Sequence, residues 1–191
     1  MDAPAYRFRL SQFSKETTYR LRGTALAWSE GNPDGALAFA DIRWIRVYDS
    51  PGANDMPAFT RCTIKPKAGR AVILSSNHFV GLANWESRTA GFKPFVDALL
   101  RQAALANPRI EFISGMPAAL WMTWIAILAG LCLIAPLAVA VIVIEGKDMS
   151  PGTLGTLAVC AGMVLAFFPL LRLIRRNRPQ RFDGREGTPA T

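Results

Sequence analysis

From Met116 to Ile144 the chain carries no Asp, Glu, Lys, Arg or His. At ~1.5 Å of rise per residue this run makes about 43 Å of α-helix, more than a bilayer hydrocarbon core of about 30 Å. A second apolar run, Thr153 to Leu171, follows after a short polar break. Buried core helices rarely reach such a length. The pattern predicts a two-helix transmembrane hairpin: span 115–144, loop 145–152, span 153–174. Backbone polar groups cannot go unsatisfied in lipid, so a loop this short forces an immediate antiparallel return.

The flanking charges predict the orientation. Arg172, Arg175, Arg176, Arg178 and Arg181 follow the second run and Arg109 precedes the first, whereas the loop holds only Lys147 beside Glu145 and Asp148. By the positive-inside rule both termini are cytoplasmic, in a multi-pass protein of the bacterial inner (plasma) membrane. Trp121 and Trp124 fit interfacial anchors near the start of the first span. Ala126 and Gly130 in one run, and Ala158, Gly162 and Ala166 in the other, are small residues suited to helix–helix packing within the hairpin or in a homo-oligomer. No ionisable side chain lies deep in either run, which argues against an ion or proton pathway.

The net charge of +8 is unevenly spread. Residues 1–115 hold fifteen Lys/Arg against ten Asp/Glu, and the chain from Arg172 holds six Arg against Asp183 and Glu186. The densest basic cluster abuts an apolar run, so it points to the lipid bilayer and its anionic headgroups as partners, and away from nucleic acid. Beyond it the polar, Gly- and Pro-containing end makes 175–191 a basic, partly disordered tail. Cys62, Cys132 and Cys160 have neither the spacing of a metal site nor a disulfide framework. The amino terminus lacks the apolar core of a signal peptide.

Residues 1–114 follow a different pattern. After a lead-in with a short strand around Tyr6–Leu10, Tyr19 and Leu21 alternate with Arg20 and Arg22. Glu30–Gly35 is dense in turn formers. Ala40-Asp41-Ile42 kinks into a strand where Ile45 and Val47 alternate with Trp44, Arg46 and Tyr48; a loop over Asp49–Asp55 follows. Phe59–Lys65 and Arg70–Ser75 complete the pattern with Cys62, Ile64, Val72 and Leu74 on one face. Ser76–Arg88 has no clean period and reads as an ordered loop. Phe92, Phe95, Val96, Leu99 and Ala103 then fall on one face of a helix over Ala90–Ala106, with Pro94 in its first turn and Asn107-Pro108 as the stop. The expected fold class is α+β: a small curled antiparallel sheet or barrel closed by one C-terminal amphipathic helix, ahead of the transmembrane hairpin.

Three segments carry a resemblance: LAFADIRWIRVYD (37–49), TRCTIKPKAGRAVILSS (60–76) and GFKPFVDALLRQA (91–103). Their order and motifs resemble the pleckstrin-homology-like domains of bacterial membrane proteins, across roughly residues 19–106. The resemblance implies a domain that docks onto proteins or membranes without enzymatic chemistry. Lipid-binding relatives cradle phosphoinositides with Lys and Arg in the first hairpin. The turn read as its equivalent, Trp28–Leu37, carries Glu30 and Asp34 and neither Lys nor Arg, which argues against that ligand.

Little in the sequence points to catalysis or to a cofactor. His78 is the only histidine, too few for a zinc site with scattered Cys. Ser75 and Ser76 end a strand without a nucleophile turn. His78, Trp85, Glu86 and Arg88 in the irregular loop are the candidate ligand site. The expected function is a non-enzymatic, membrane-anchored docking or scaffold protein with a protein partner. The alternatives are a lipid-headgroup or small-ligand sensor and an accessory subunit of a membrane complex.

Overall fold

The computed structural model describes residues 4–29, 35–50, 58–82, 84–144 and 174–188, together with scattered helical positions between 155 and 172. The turn at Glu30–Gly35, most of the Asp49–Asp55 loop, the 145–152 loop and Ala166 were named from the sequence and lie outside the described residues, Gly35, Asp49 and Ser50 excepted. The chain divides into two units: Met1–Gly115 with Gln180–Thr191, and Met116–Pro179.

In the first unit, β1 (Ala5–Phe8), β2 (Thr17–Arg22), β3 (Ala25–Ser29) and β4 (Gly35–Ala38) form an antiparallel sheet in sequence order. A single 3-10 turn, Phe39–Asp41, redirects the chain into the second sheet and buries Phe39. There β5 (Ile42–Ser50), β6 (Phe59–Pro66) and β7 (Val72–Ser75) run antiparallel to one another. The period-2 expectation holds: Ile45, Val47, Cys62, Ile64 and Leu74 are buried. Ser76–Arg88 is a correction, because it contains a third, two-stranded sheet, β8 (Asn77–Gly81) with β9 (Asn84–Ser87).

Helix α1 (Thr89–Ala106) buries Phe92, Phe95, Val96, Leu99, Leu100 and Ala103 in a core shared with both larger sheets. Each large apolar side chain so buried contributes about 1.5–3 kcal/mol. The Asn107 side chain caps the arrangement by donating to the Phe39 and Ala40 carbonyls at 3.2 and 3.3 Å. After the helix, β10 (Glu111–Ser114) joins β5 in parallel.

The end of the chain completes this unit. In it β11 (Gln180–Arg181) pairs with β10 and gives the order β11-β10-β5-β6-β7. Phe182 packs against Phe112 with ring centroids 5.9 Å apart. The backbone of Gly184 lies where a Cβ would stand 2.6 Å from the Phe112 ring. Thr188 closes the strap through its N–H and hydroxyl, which donate to Asp97 Oδ1 at 2.7 and 2.6 Å. These contacts hold residues 180–188 of the tail expected to be partly disordered.

In the second unit α2 spans Ala118–Ile144. The Met116 N–H donates to the Asn177 carbonyl at 3.0 Å, and Trp121 Nε1–H donates to the Ile174 carbonyl at 3.0 Å, so the returning chain runs antiparallel to the start of α2. Leu133, Ile134 and Leu137 are exposed. Among the described residues no helix is long and apolar enough to cross a membrane.

That finding corrects three expectations. The fold is mixed α+β, rich in sheet, but its described part holds neither a two-helix transmembrane hairpin nor a closed barrel. The inner-membrane, multi-pass localisation and the cytoplasmic assignment of both termini rested on that hairpin and fall with it.

Candidate functional site

The candidate ligand residues meet where β8 and β9 pack beside β1. Pairing sets His78 opposite Glu86 and Phe79 opposite Trp85. The two rings meet edge to face with centroids 5.1 Å apart. Phe79 N–H donates to the Arg9 carbonyl at 2.9 Å, so the hairpin is joined to the chain just after β1.

His78 is 9 % exposed, and its Nδ1 accepts the backbone N–H of Arg9 at 3.1 Å. An accepting Nδ1 places the proton of the neutral ring on Nε2. Burial lowers the His78 pKa from its ordinary value, and Arg88 and Arg9 push the same way against Glu16 and Glu86. The Glu16 carboxylate stands 3.9 Å from Nδ1. Glu16 also pairs with Arg7 at 2.9 Å and with Arg88 at 3.3 Å, and Arg88 reaches Glu86 at 3.2 Å. An Nη of Arg88 donates further to the Arg7 carbonyl at 2.8 Å.

So the structure brings His78, Glu86 and Arg88 together: His78 and Arg88 tie the β8–β9 hairpin to the chain at Arg9 and Arg7, Glu86 pairs with Arg88, and Trp85 packs on Phe79. Glu16 and Arg9 complete the cluster. Neither was legible as a partner, because the link spans 69 residues of sequence. The neighbouring hydroxyls are engaged as well. Ser75 Oγ accepts from Asn77 N–H at 3.2 Å, and Ser76 Oγ accepts from Thr60 N–H at 2.9 Å. The Ser75 carbonyl accepts the Tyr6 hydroxyl at 2.7 Å, and burial raises the Tyr6 pKa, so the phenol stays a neutral donor. Cys62 is buried and its thiol is pushed up to about 12. Among the described residues no group of three His, Cys, Asp or Glu side chains is placed to hold a metal ion.

The residues assigned to a membrane surface are divided between the two units. Arg181 lies in β11, 3.5 Å from Glu111. Arg172, Arg175, Arg176 and Arg178 are exposed in the second unit. Trp121 and Trp124 are half-buried. Ala126, Ala158 and Gly162 are exposed, and a Cβ at Gly130 or Gly162 would meet nothing within 4 Å, so no close helix approach is described there.

The first hairpin is also displaced from its expected position. It is the β1–β2 connection, residues 9–16, and it carries Arg9 and Lys15. Arg20 and Arg22 project from the outer face of β2 beside Ala27 and Ala36.

No protein-family model, curated protein or solved structure matches this chain.

Proposed function

We propose that the first unit is a non-enzymatic docking domain of pleckstrin-homology-like type that binds a protein partner. The observation that carries this reading is the use of the His78, Glu86 and Arg88 side chains. They stabilise the junction between β1 and the β8–β9 hairpin. Ligand binding there would first have to break those contacts, at a cost of about 1–3 kcal/mol for each polar group left unsatisfied. The same region exposes Val80 and Leu82, apolar side chains suited to a protein surface. Two open sheets, the hairpin and a covering helix make a rigid platform for such contacts.

The test is affinity purification of the full-length protein from its native extract after crosslinking, followed by binding assays with the purified candidate. A specific partner whose binding survives His78→Asn but is lost on a polar change at Leu82 supports the reading. Recovery of no specific protein overturns it. Thermal stabilisation by a small ligand that is abolished by alanine at His78, Glu86 or Arg88 would favour a sensor instead.

A further inference from the structure

We infer that Phe13 is a preorganised aromatic anchor that seats in an apolar, acid-rimmed pocket of a protein partner. The inference rests on the docking reading above and assigns it a contact surface.

The β1–β2 connection is built by its own hydrogen bonds. Ser14 donates to the Ser11 carbonyl through its N–H at 3.2 Å and through its hydroxyl at 2.9 Å. Ser11 N–H donates back to Ser14 Oγ at 2.8 Å. Arg9 secures the turn from below: Nε donates to the Ser11 and Ser14 carbonyls at 3.2 and 2.9 Å, and an Nη donates to the Gln12 carbonyl at 2.7 Å. The guanidinium also lies 5.4 Å from the Phe79 ring centroid, which ties the turn to the β8–β9 hairpin.

What this scaffold presents is Phe13, 90 % exposed. A single exposed apolar residue is ordinary. A benzyl group held out by a turn whose backbone carbonyls are gripped by one guanidinium is a different case. The ordering cost of the backbone that carries it has been met before any encounter, which leaves only the side chain's rotamers to be fixed on binding. The surroundings extend the surface. The Phe79–Arg9 backbone bond joins the segment after β1, where Leu10 is 36 % exposed, to β8, where Val80 is 51 % exposed, and Leu82 just past β8 is 89 % exposed.

Charge selects the partner. Residues 7–16 hold Arg7, Arg9 and Lys15 against Glu16 alone, and Lys15 is exposed two positions from Phe13. In a chain of net charge +8, such a rim favours a partner whose apolar pocket is bordered by Asp or Glu.

The experiment places a photoreactive p-benzoylphenylalanine at position 13 of the full-length protein. Irradiation in native extract and mass spectrometry then identify the crosslinked peptide. The expected product is one partner protein captured through an apolar segment flanked by acidic residues. With that purified partner, Phe13→Ala weakens binding about tenfold or more, and Lys15→Glu weakens it in a salt-sensitive manner. The melting temperature of Phe13→Ala stays unchanged, which separates lost binding from lost fold. Capture at position 13 of only lipid, or only a second copy of this chain, overturns the inference. The same probe at position 20, on the outer face of β2, separates the two levels. A partner captured there and not at 13 leaves the docking reading standing and overturns this one. No protein captured at either position overturns this inference, and the docking reading falls with it only where the affinity purification also recovers no specific protein.

Discussion

The backbone N–H of Arg9 donates to His78 Nδ1 at 3.1 Å, joining two positions 69 residues apart through a lone pair that a proton would remove. The folded state lowers the His78 pKa from its ordinary 6.5. Below 6.5 the unfolded chain therefore takes up this proton more readily than the folded one. The stabilisation is fully present above 6.5 and is lost as pH falls through the lowered folded value. His78→Asn keeps an acceptor but cannot titrate. Its melting temperature should fall less than that of the wild type between pH 7 and about 5. Parallel curves would show that this contact does not govern the acid response. His78→Ala leaves the Arg9 N–H without its partner and should cost about 1–3 kcal/mol at neutral pH, measured by denaturant unfolding.

Cys62 lies in β6 between the sheets, fully buried, with its thiol pushed up to about 12. Only the thiolate reacts at a useful rate. In native protein near pH 8, peptide mapping after brief alkylation should find Cys132, which is exposed, modified and Cys62 unmodified. Cys62 should react only on unfolding. Rapid native labelling of Cys62 would mean that the two sheets open readily.

Much of the core was readable because its signal is local. Alternation placed Ile45, Val47, Cys62 and Ile64 inward, and helical spacing chose the buried face of α1. What escaped depends on partners remote in sequence. β8 carries Asn77 and His78, both buried, so hydrophobic period gave no strand there; His78 is accommodated by the N–H of Arg9, 69 residues away. β10 carried no signal of its own, because its parallel pairing with β5 leaves no turn signature. The end of the chain looked disordered from its composition, yet one aromatic ring, one missing Cβ and one carboxylate suffice to hold it. Of the candidate site, His78, Glu86 and Arg88 could be named from the sequence. Glu16 and Arg9, which determine what those residues do, could not.

Arg9 is a structural hub as well as a charged residue. Its guanidinium serves three carbonyls of the turn while its backbone serves His78 and Phe79. Lysine retains the charge but lacks the planar fork. Arg9→Lys should therefore destabilise the protein by about 1–2 kcal/mol in denaturant titrations and speed amide exchange at Ser14. Unchanged exchange would show that the serine contacts alone hold the turn.

Gly184 tests the strap. Any side chain there would overlap the Phe112 ring, which is itself buried and cannot swing away freely. Gly184→Ala should cost about 1–3 kcal/mol through overpacking, and it should raise proteolytic cleavage near Phe182 if the strap lifts as one piece. Wild-type stability with wild-type cleavage would show that the contact relaxes without cost.

Ser114 and Gln180 are paired neighbours on β10 and β11, although 64 residues separate Met116 from Pro179 inclusive. In an antiparallel pair, facing residues lie about 5 Å apart, close enough for a two-residue turn to connect the strands. Replacing 115–179 by Asn-Gly should therefore convert β10 and β11 into an ordinary hairpin without disturbing Phe112, Phe182 or the Asp97–Thr188 contact. The excision also removes the exposed apolar side chains of α2, a surface that favours self-association in aqueous buffer. The shortened protein should be monodisperse by light scattering, unfold cooperatively, and retain the slow exchange of the Arg9 amide bonded to His78. If it fails to fold while the full chain does, the first unit draws needed stability from the second, and the division at Gly115 and Gln180 is one of geometry without independent folding.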